Sequence, residues 1–124
     1  MKKWDYCLFS IDSVDSNDDD LHSINILING KSIGTGFFNP YKISEEQIKN
    51  IKLIFKREFP SYDISSMFER RYLENGSYEN EFYLGSFRYA FMRYLGNNGW
   101  ELVNTISYEH PVKKEMTFKK IIES

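Results

Sequence analysis

The stretch from Gly96 to Tyr108, Gly-Asn-Asn-Gly-Trp-Glu-Leu-Val-Asn-Thr-Ile-Ser-Tyr, restricts the fold more than any other part of the chain. Gly96 follows an aromatic-rich helical pattern, and glycine enters the left-handed conformation that ends a helix with no Cβ penalty. Asn98-Gly99 then supplies a turn, because both residue types tolerate positive φ. From Trp100 the chain alternates. Trp100, Leu102, Ile106 and Tyr108 point one way, with Asn104 interrupting, and Glu101, Val103, Thr105, Ser107 and Glu109 point the other. That is the pattern of a half-buried strand with an apolar inner face, anchored in the core by Trp100. His110-Pro111 closes it, and Met116 to Ile122 suits an antiparallel partner after a short basic turn.

Lys2 to Ile11 reads as a first strand, with Trp4, Tyr6 and Leu8 on one side and Cys7, Phe9 and Ile11 on the other. Apolar residues on both faces predict an interior strand covered at least partly on both sides. Asp12 to Asp20 is acidic and short in side-chain bulk, so a solvated loop is expected. Its aspartate spacing lacks the central glycine and terminal glutamate of a calcium loop. Asn29-Gly30 predicts a two-residue type I′ hairpin turn. Folding there opposes Ile28 with Lys31, Ile26 with Ile33, Ile24 with Thr35 and His22 with Phe37. That register collects Ile24, Ile26, Ile28, Ile33 and Phe37 on one face. Gly34 and Gly36 fall on the other face and mark a bulged edge or a close approach.

Ser44-Glu45-Glu46-Gln47 is a capping box, and a helix runs from it to about Phe59, stopped by Pro60. Ile48, Ile51, Ile54, Phe55 and Phe59 make its inner stripe, with Lys49, Lys52 and Lys56 along one flank. Residues 61–83 admit two readings. Ser66-x-x-Glu69 would cap a short helix, whereas Asn75-Gly76 would turn a hairpin opposing Arg70 with Glu81, Phe68 with Tyr83 and Leu73 with Tyr78. The hairpin is preferred. Leu84 to Leu95 is a second helix, with Leu84, Phe87, Phe91, Tyr94 and Leu95 in one stripe.

These elements predict one α+β domain over residues 1–124: a mainly antiparallel sheet with two amphipathic helices packed on one face. Leu95-Gly96-Asn97-Asn98-Gly99-Trp100-Glu101-Leu102-Val103 resembles the GWELV signature of a small bacterial domain of unknown function. Lys3-Trp4-Asp5-Tyr6 is similar to that family's first strand, and Thr117-Phe118-Lys119-Lys120 to its last. The resemblance implies a strand, a helix and two further strands, with residues 12–83 as a large insertion. It carries no catalytic residues.

A net charge of −2 gives no global attraction to nucleic acid, and no apolar run has the length of a membrane span. Cys7 is the only cysteine, which points to a reducing cytoplasm. No metal-ligand spacing, phosphate loop, nucleophile elbow or dinucleotide fingerprint is present, and no cofactor is expected. A nuclease-like set of Glu69, Arg71 and His110 can be assembled, but the spacing does not require it. An enzyme would need His22 or His110 beside carboxylates in a cleft.

The first expectation is therefore a non-catalytic interaction protein. It would be a bacterial or phage accessory, inhibitor or immunity-type factor that binds one macromolecular partner, with a homodimer allowed by exposed Leu53, Tyr89 and Met92. Asp15, Asp18, Asp19 and Asp20 would meet a basic protein partner. The second is a binder of a nucleotide or phosphorylated ligand. All five arginines lie between residues 57 and 93, interleaved with tyrosines. Arg70, Arg71, Arg88, Arg93, Tyr72 and Tyr89 are its candidate ligand residues, because guanidinium forks grip phosphates and aromatic faces stack bases. The competing expectation is that these arginines pair with Glu69, Glu74, Glu79 and Glu81.

Overall fold

A computed structural model describes residues 2–16, 19–109 and 112–123. The chain runs β1 (Lys2–Ser16), β2 (Asp19–Ile28), β3 (Lys31–Gly34), α1 (Glu45–Glu58), a 3-10 turn (Ser65–Met67), β4 (Phe68–Tyr72), β5 (Tyr78–Phe82), α2 (Leu84–Asn97), β6 (Glu101–Glu109) and β7 (Val112–Glu123). Five strands form an antiparallel sheet in the order β3-β2-β1-β7-β6, and β4 and β5 form a separate hairpin. The architecture is the expected α+β. The strands carrying the sequence resemblance, β1, β7 and β6, are neighbours, and β2 and β3 extend the sheet on the far side of β1.

The core is an aromatic layer between the helices and one sheet face. Cys7, Phe9 and Ile11 of β1 point into it, with Ile24 and Ile26 of β2 and Met116 and Phe118 of β7. α1 contributes Ile48, Ile51 and Phe55, and α2 contributes Phe87, Phe91 and Leu95. Phe91 is the hub. Its ring lies 5.0 Å from Phe9, 5.0 Å from Phe59, 5.5 Å from Tyr62 and 5.7 Å from Phe55. Most of these pairs meet edge to face, the arrangement that ring quadrupoles favour. Ser44 caps α1 as its sequence predicts, accepting from the Gln47 amide while the Gln47 side chain accepts from the Ser44 amide.

Several expectations change. The acidic segment 12–20 is not a loop: β1 continues to Ser16 and β2 begins at Asp19, pairing Asp12 with Ser23 and Asp15 with Asp20. Ladder hydrogen bonds hold the backbone there, and the Asn25 amide donates to the Asp12 carboxylate at 3.2 Å. Asp18 lies outside the described residues, and so do the side chains of Asp15 and Asp19. Strand β1 is interior, but its second face is not covered: Trp4 and Tyr6 are exposed there.

At the first hairpin, Asn29 and Gly30 both take positive φ and the register follows the sequence reading as far as Asn25 opposite Gly34. Gly36, also at positive φ, then bulges the chain, so His22 bridges Phe38 rather than Phe37. Phe38 is buried and Phe37 is exposed. The second hairpin is present, one residue out of the expected register: Arg70 opposes Asn80 and Tyr72 opposes Tyr78. Only Gly76, not Asn75, has positive φ there. The Asn75 carboxamide instead accepts from the Ser77 amide, which gives a three-residue turn with a glycine bulge.

The end of α2 also shifts. Gly96 stays helical and Gly99 takes φ +91°. The Trp100 amide donates to the Leu95 carbonyl at 3.0 Å and the Gly99 amide to the Gly96 carbonyl at 3.1 Å, the two bonds of a Schellman cap. Opposite effects follow at the two glycines. Gly96→Ala meets open space and is expected to stabilise by about 0.5–1 kcal/mol. Gly99→Ala forces a Cβ into the left-handed region and is expected to cost about 1–2 kcal/mol. Urea midpoints moving up for the first and down for the second check this assignment.

Trp100 is buried as expected, whereas β6 itself is exposed along its whole length. A register shift between Leu102 and Asn104 inserts Val103 as a bulge. Leu102 therefore pairs with Phe118 on the helix face, while Ile106 pairs with Glu115 on the open face. The single apolar face read from the sequence is split in two.

Candidate functional site

The arginine–tyrosine segment does not converge on one site. Arg70 reaches Glu45 at 3.2 Å and stacks on Tyr78, its guanidinium 4.1 Å from the ring centre. Asn80 donates to the same carboxylate at 3.0 Å and, with Arg70, holds Glu45 below the usual carboxylate range. Arg71 pairs with Glu79 at 2.8 Å, and Arg57 pairs with Glu58 at 2.9 Å. Arg93 lies over Tyr89 at 6.0 Å on an exposed helix face, and Tyr72 is exposed on the hairpin. Glu69 accepts a hydrogen bond from the Tyr83 hydroxyl, which pushes that phenol up to about 12. Of the partners the competing expectation named, only Glu79 takes an arginine; Arg70 and Arg57 pair with Glu45 and Glu58 instead. Arg88 goes elsewhere.

Arg88 lines a cavity of about 310 Å³ between the start of α2 and the far end of the sheet. The strand register builds its floor. Ile11 pairs with Lys114 and Lys114 with Ser107, so one row crosses β1, β7 and β6. Ser13 and His22 pair in the next row. Leu84, Gly85 and Arg88 overhang from the first turns of α2, at the three- and four-residue spacing that places them on one helix side. Arginine, two lysines and histidine line this cavity, and none of its lining residues is a carboxylate. Lys113 is held by Glu115 at 3.3 Å.

His22 is fixed on both ring nitrogens. Ser13 Oγ lies 2.7 Å from Nδ1, and Asp20 Oδ1 lies 3.1 Å from Nε2. These are the residue types of an acyl-transfer triad with the ring nitrogens exchanged relative to the serine-hydrolase arrangement. The backbone of His22 is tied twice to Phe38 at 2.8 Å, so the imidazole forms a rigid wall. It separates this cavity from a second of about 330 Å³ that carries Asp20, Tyr41, Glu81 and Tyr83, and both cavities share Leu84 and Gly85. Sequence reasoning named His22 and Arg88 but not Ser13, Ser107 or Lys114. The only signal for the last was the basic turn before β7. His110, the other histidine considered for chemistry, lies outside the described residues.

The other distinctive surface is the β6 edge. β6 is the outermost strand, and all nine of its residues are exposed. Seven consecutive uncharged residues, Leu102 to Tyr108, run between Glu101 and Glu109. The opposite edge, β3, is four residues long and begins with Lys31, which is tied to Glu58 at 2.8 Å. Short length and lysine are the usual protections of a sheet edge, and β6 has neither. Beside it, Trp4, Tyr6, Leu27, Ile106 and Ile121 are exposed on the open face.

Among the described residues, no three His, Cys, Asp or Glu side chains come together to hold a metal ion, and no helix is long and apolar enough to cross a membrane. No family model, no curated protein and no solved structure matches this chain.

Proposed function

We propose that this chain is a non-catalytic interaction protein that takes an extended segment of a partner protein onto the β6 edge as an added strand. The observation that carries the reading is the long, uncovered β6 strand with its uncharged middle, Leu102 to Tyr108. Half of the backbone N–H and C=O groups of an edge strand point away from its neighbour, and another extended backbone satisfies them in register. The Val103 bulge bends the edge locally and leaves Asn104 to Glu109 as its regular part.

Charge complementarity favours a partner segment with basic ends as the occupant. A second copy pairing antiparallel over the full strand sets Glu101 opposite Glu109 at both ends, and like charges directly opposite are destabilising. A partner strand with an uncharged middle and basic ends removes that conflict. The β1–β2 ribbon extends past Glu109, because Ser13 pairs with Val112 and Val112 with Glu109. Asp20, exposed on β2 at that end, adds negative charge there and would speed the approach of a basic segment. This role suits a small accessory or immunity-type factor, and a lone cysteine supports a reducing setting for it.

The test uses two synthetic peptides of alternating threonine and valine, one with lysine at both ends and one with glutamate. The lysine-ended peptide is expected to protect amides of Glu101–Glu109 from hydrogen exchange and to bind at least about tenfold tighter than the other. Ile106→Lys places a charge on the edge and is expected to abolish both effects. Protection elsewhere in the chain, equal binding of both peptides, or β6 amides already protected in a concentration-dependent dimer would overturn the proposal.

A further inference from the structure

The cavity under α2 is cationic in a protein that is net negative. Two elements supply its positive groups: α2 gives Arg88, and β7 gives Lys113 and Lys114. Arg88 and Lys114 are both half-buried, and neither lies within ion-pair distance of a carboxylate among the described residues. The other arginines with candidate ligand roles mostly behave differently, since Arg70 and Arg71 both find glutamates. Two half-buried cations facing one cavity repel each other, and an anion between them reverses the sign of that interaction.

Hydrogen-bond donors surround the same space. Ser107 lines it, and so does the first turn of α2, whereas the Ser13 hydroxyl is engaged with His22. That helix has no side-chain cap and no acidic residue in its own first turn, which leaves its leading amides uncapped by the helix itself. Gly85 has nothing within 4 Å of where a Cβ would stand, which leaves room for close approach to the backbone. A guanidinium fork, an ammonium, a hydroxyl and helix N-terminal amides together are the donor set for a tetrahedral oxyanion.

We propose that this cavity binds the phosphate of a small phosphomonoester, gripped by Arg88 and Lys114, with the organic part passing His22 into the neighbouring cavity beside Tyr41. A volume of about 310 Å³ suits a phosphate and a short organic group, and the adjoining space of about 330 Å³ takes the remainder. The second cavity carries Asp20 and Glu81, which repel a phosphate and so set the direction in which the ligand lies. The Ser13–His22–Asp20 row positions the imidazole between the two halves. The site is independent of strand addition at β6 and stands or falls separately from it.

Phenyl phosphate, inorganic phosphate and phenol are the probes, read by calorimetry and by amide chemical shifts. Phenyl phosphate is expected to bind with the largest shifts at Gly85, Ser86 and Lys114, inorganic phosphate more weakly at the same amides, and phenol not at all. Arg88→Gln and Lys114→Gln are each expected to weaken binding by about tenfold or more, in line with the loss of one charge-assisted hydrogen bond. Lys56→Gln, on the exposed flank of α1, is expected to change nothing, and circular dichroism checks that each variant is folded. Shifts centred on Lys49, Lys52 and Lys56 instead, or folded Arg88→Gln and Lys114→Gln variants that bind as tightly as the parent, would overturn the site. Inorganic phosphate binding as tightly as phenyl phosphate would overturn the ester assignment.

Discussion

Phe91→Ala is expected to lower the unfolding free energy by about 3–5 kcal/mol, the range for removing a large aromatic side chain from a core. Phe91 is completely buried and touches rings from β1, α1, α2 and the segment after α1. Its deletion therefore opens a void at the meeting point of all these elements, and no one of them can collapse into it without giving up its own edge-to-face contacts. A domain of this size has a total stability of about 5–15 kcal/mol, so one substitution removes a large share of it. Urea denaturation followed by tryptophan fluorescence measures the loss, since Trp100 is buried beside α2's end. Phe37→Ala is the paired control. Phe37 is exposed just before the buried Phe38, and its removal is expected to cost less than about 1 kcal/mol. A small effect at Phe91 and a large one at Phe37 would mean that the bulge at Gly36 is misassigned.

Cys7 gives a second large effect. Its thiol is fully buried, and burial, with a smaller contribution from Asp5, pushes its pKa up to about 12. The thiolate is the species that alkylates, so native Cys7 is expected to react with iodoacetamide at least about 10³-fold more slowly than in the unfolded chain. Because β1 is flanked by β2 and β7, exposure of Cys7 requires global rather than local opening. The rate then reports stability directly, and Phe91→Ala is expected to raise it by about 10²- to 4 × 10³-fold. The linkage has a definite sign. A thiol whose folded pKa is raised stabilises nothing while both states are protonated. The unfolded state then loses its proton first as pH rises, so stability falls from the ordinary thiol range up to about pH 12. Rapid labelling of Cys7 in the folded protein would show that β1 opens on its own.

The features legible in the sequence were those set by neighbours in the chain. The capping box at Ser44, the stripe Ile48-Ile51-Phe55, the type I′ turn at Asn29-Gly30 and the stripe Phe87-Phe91-Leu95 each depend on φ preferences or on helical and strand periods within a few residues. Local rules also failed by single residues. Gly96 and Gly99 are equally able to end a helix, and the chain chose Gly99 because Trp100 then reaches the core. Asn75-Gly76 reads as the same turn as Asn29-Gly30, yet only the latter has both residues at positive φ.

What no local pattern could decide was which faces are covered. Alternation along β6 says that two faces differ, but the bulge at Val103 exchanges them, and only the sheet order shows that no described strand lies outside β6. Trp4 and Tyr6 have core-like chemistry and stand on the open face because both helices pack on the other. The cationic cavity was equally hidden. Ser13 and His22, Arg88, and Ser107 and Lys114 come from three separate parts of the chain, and each alone is an ordinary polar residue. Strand pairing over long separations sets them side by side, and a pairing between positions a hundred residues apart leaves no periodic trace in the chain. The sequence by itself determined the elements and the fold class; the tertiary structure decided the open edge, the bare face and the cavity.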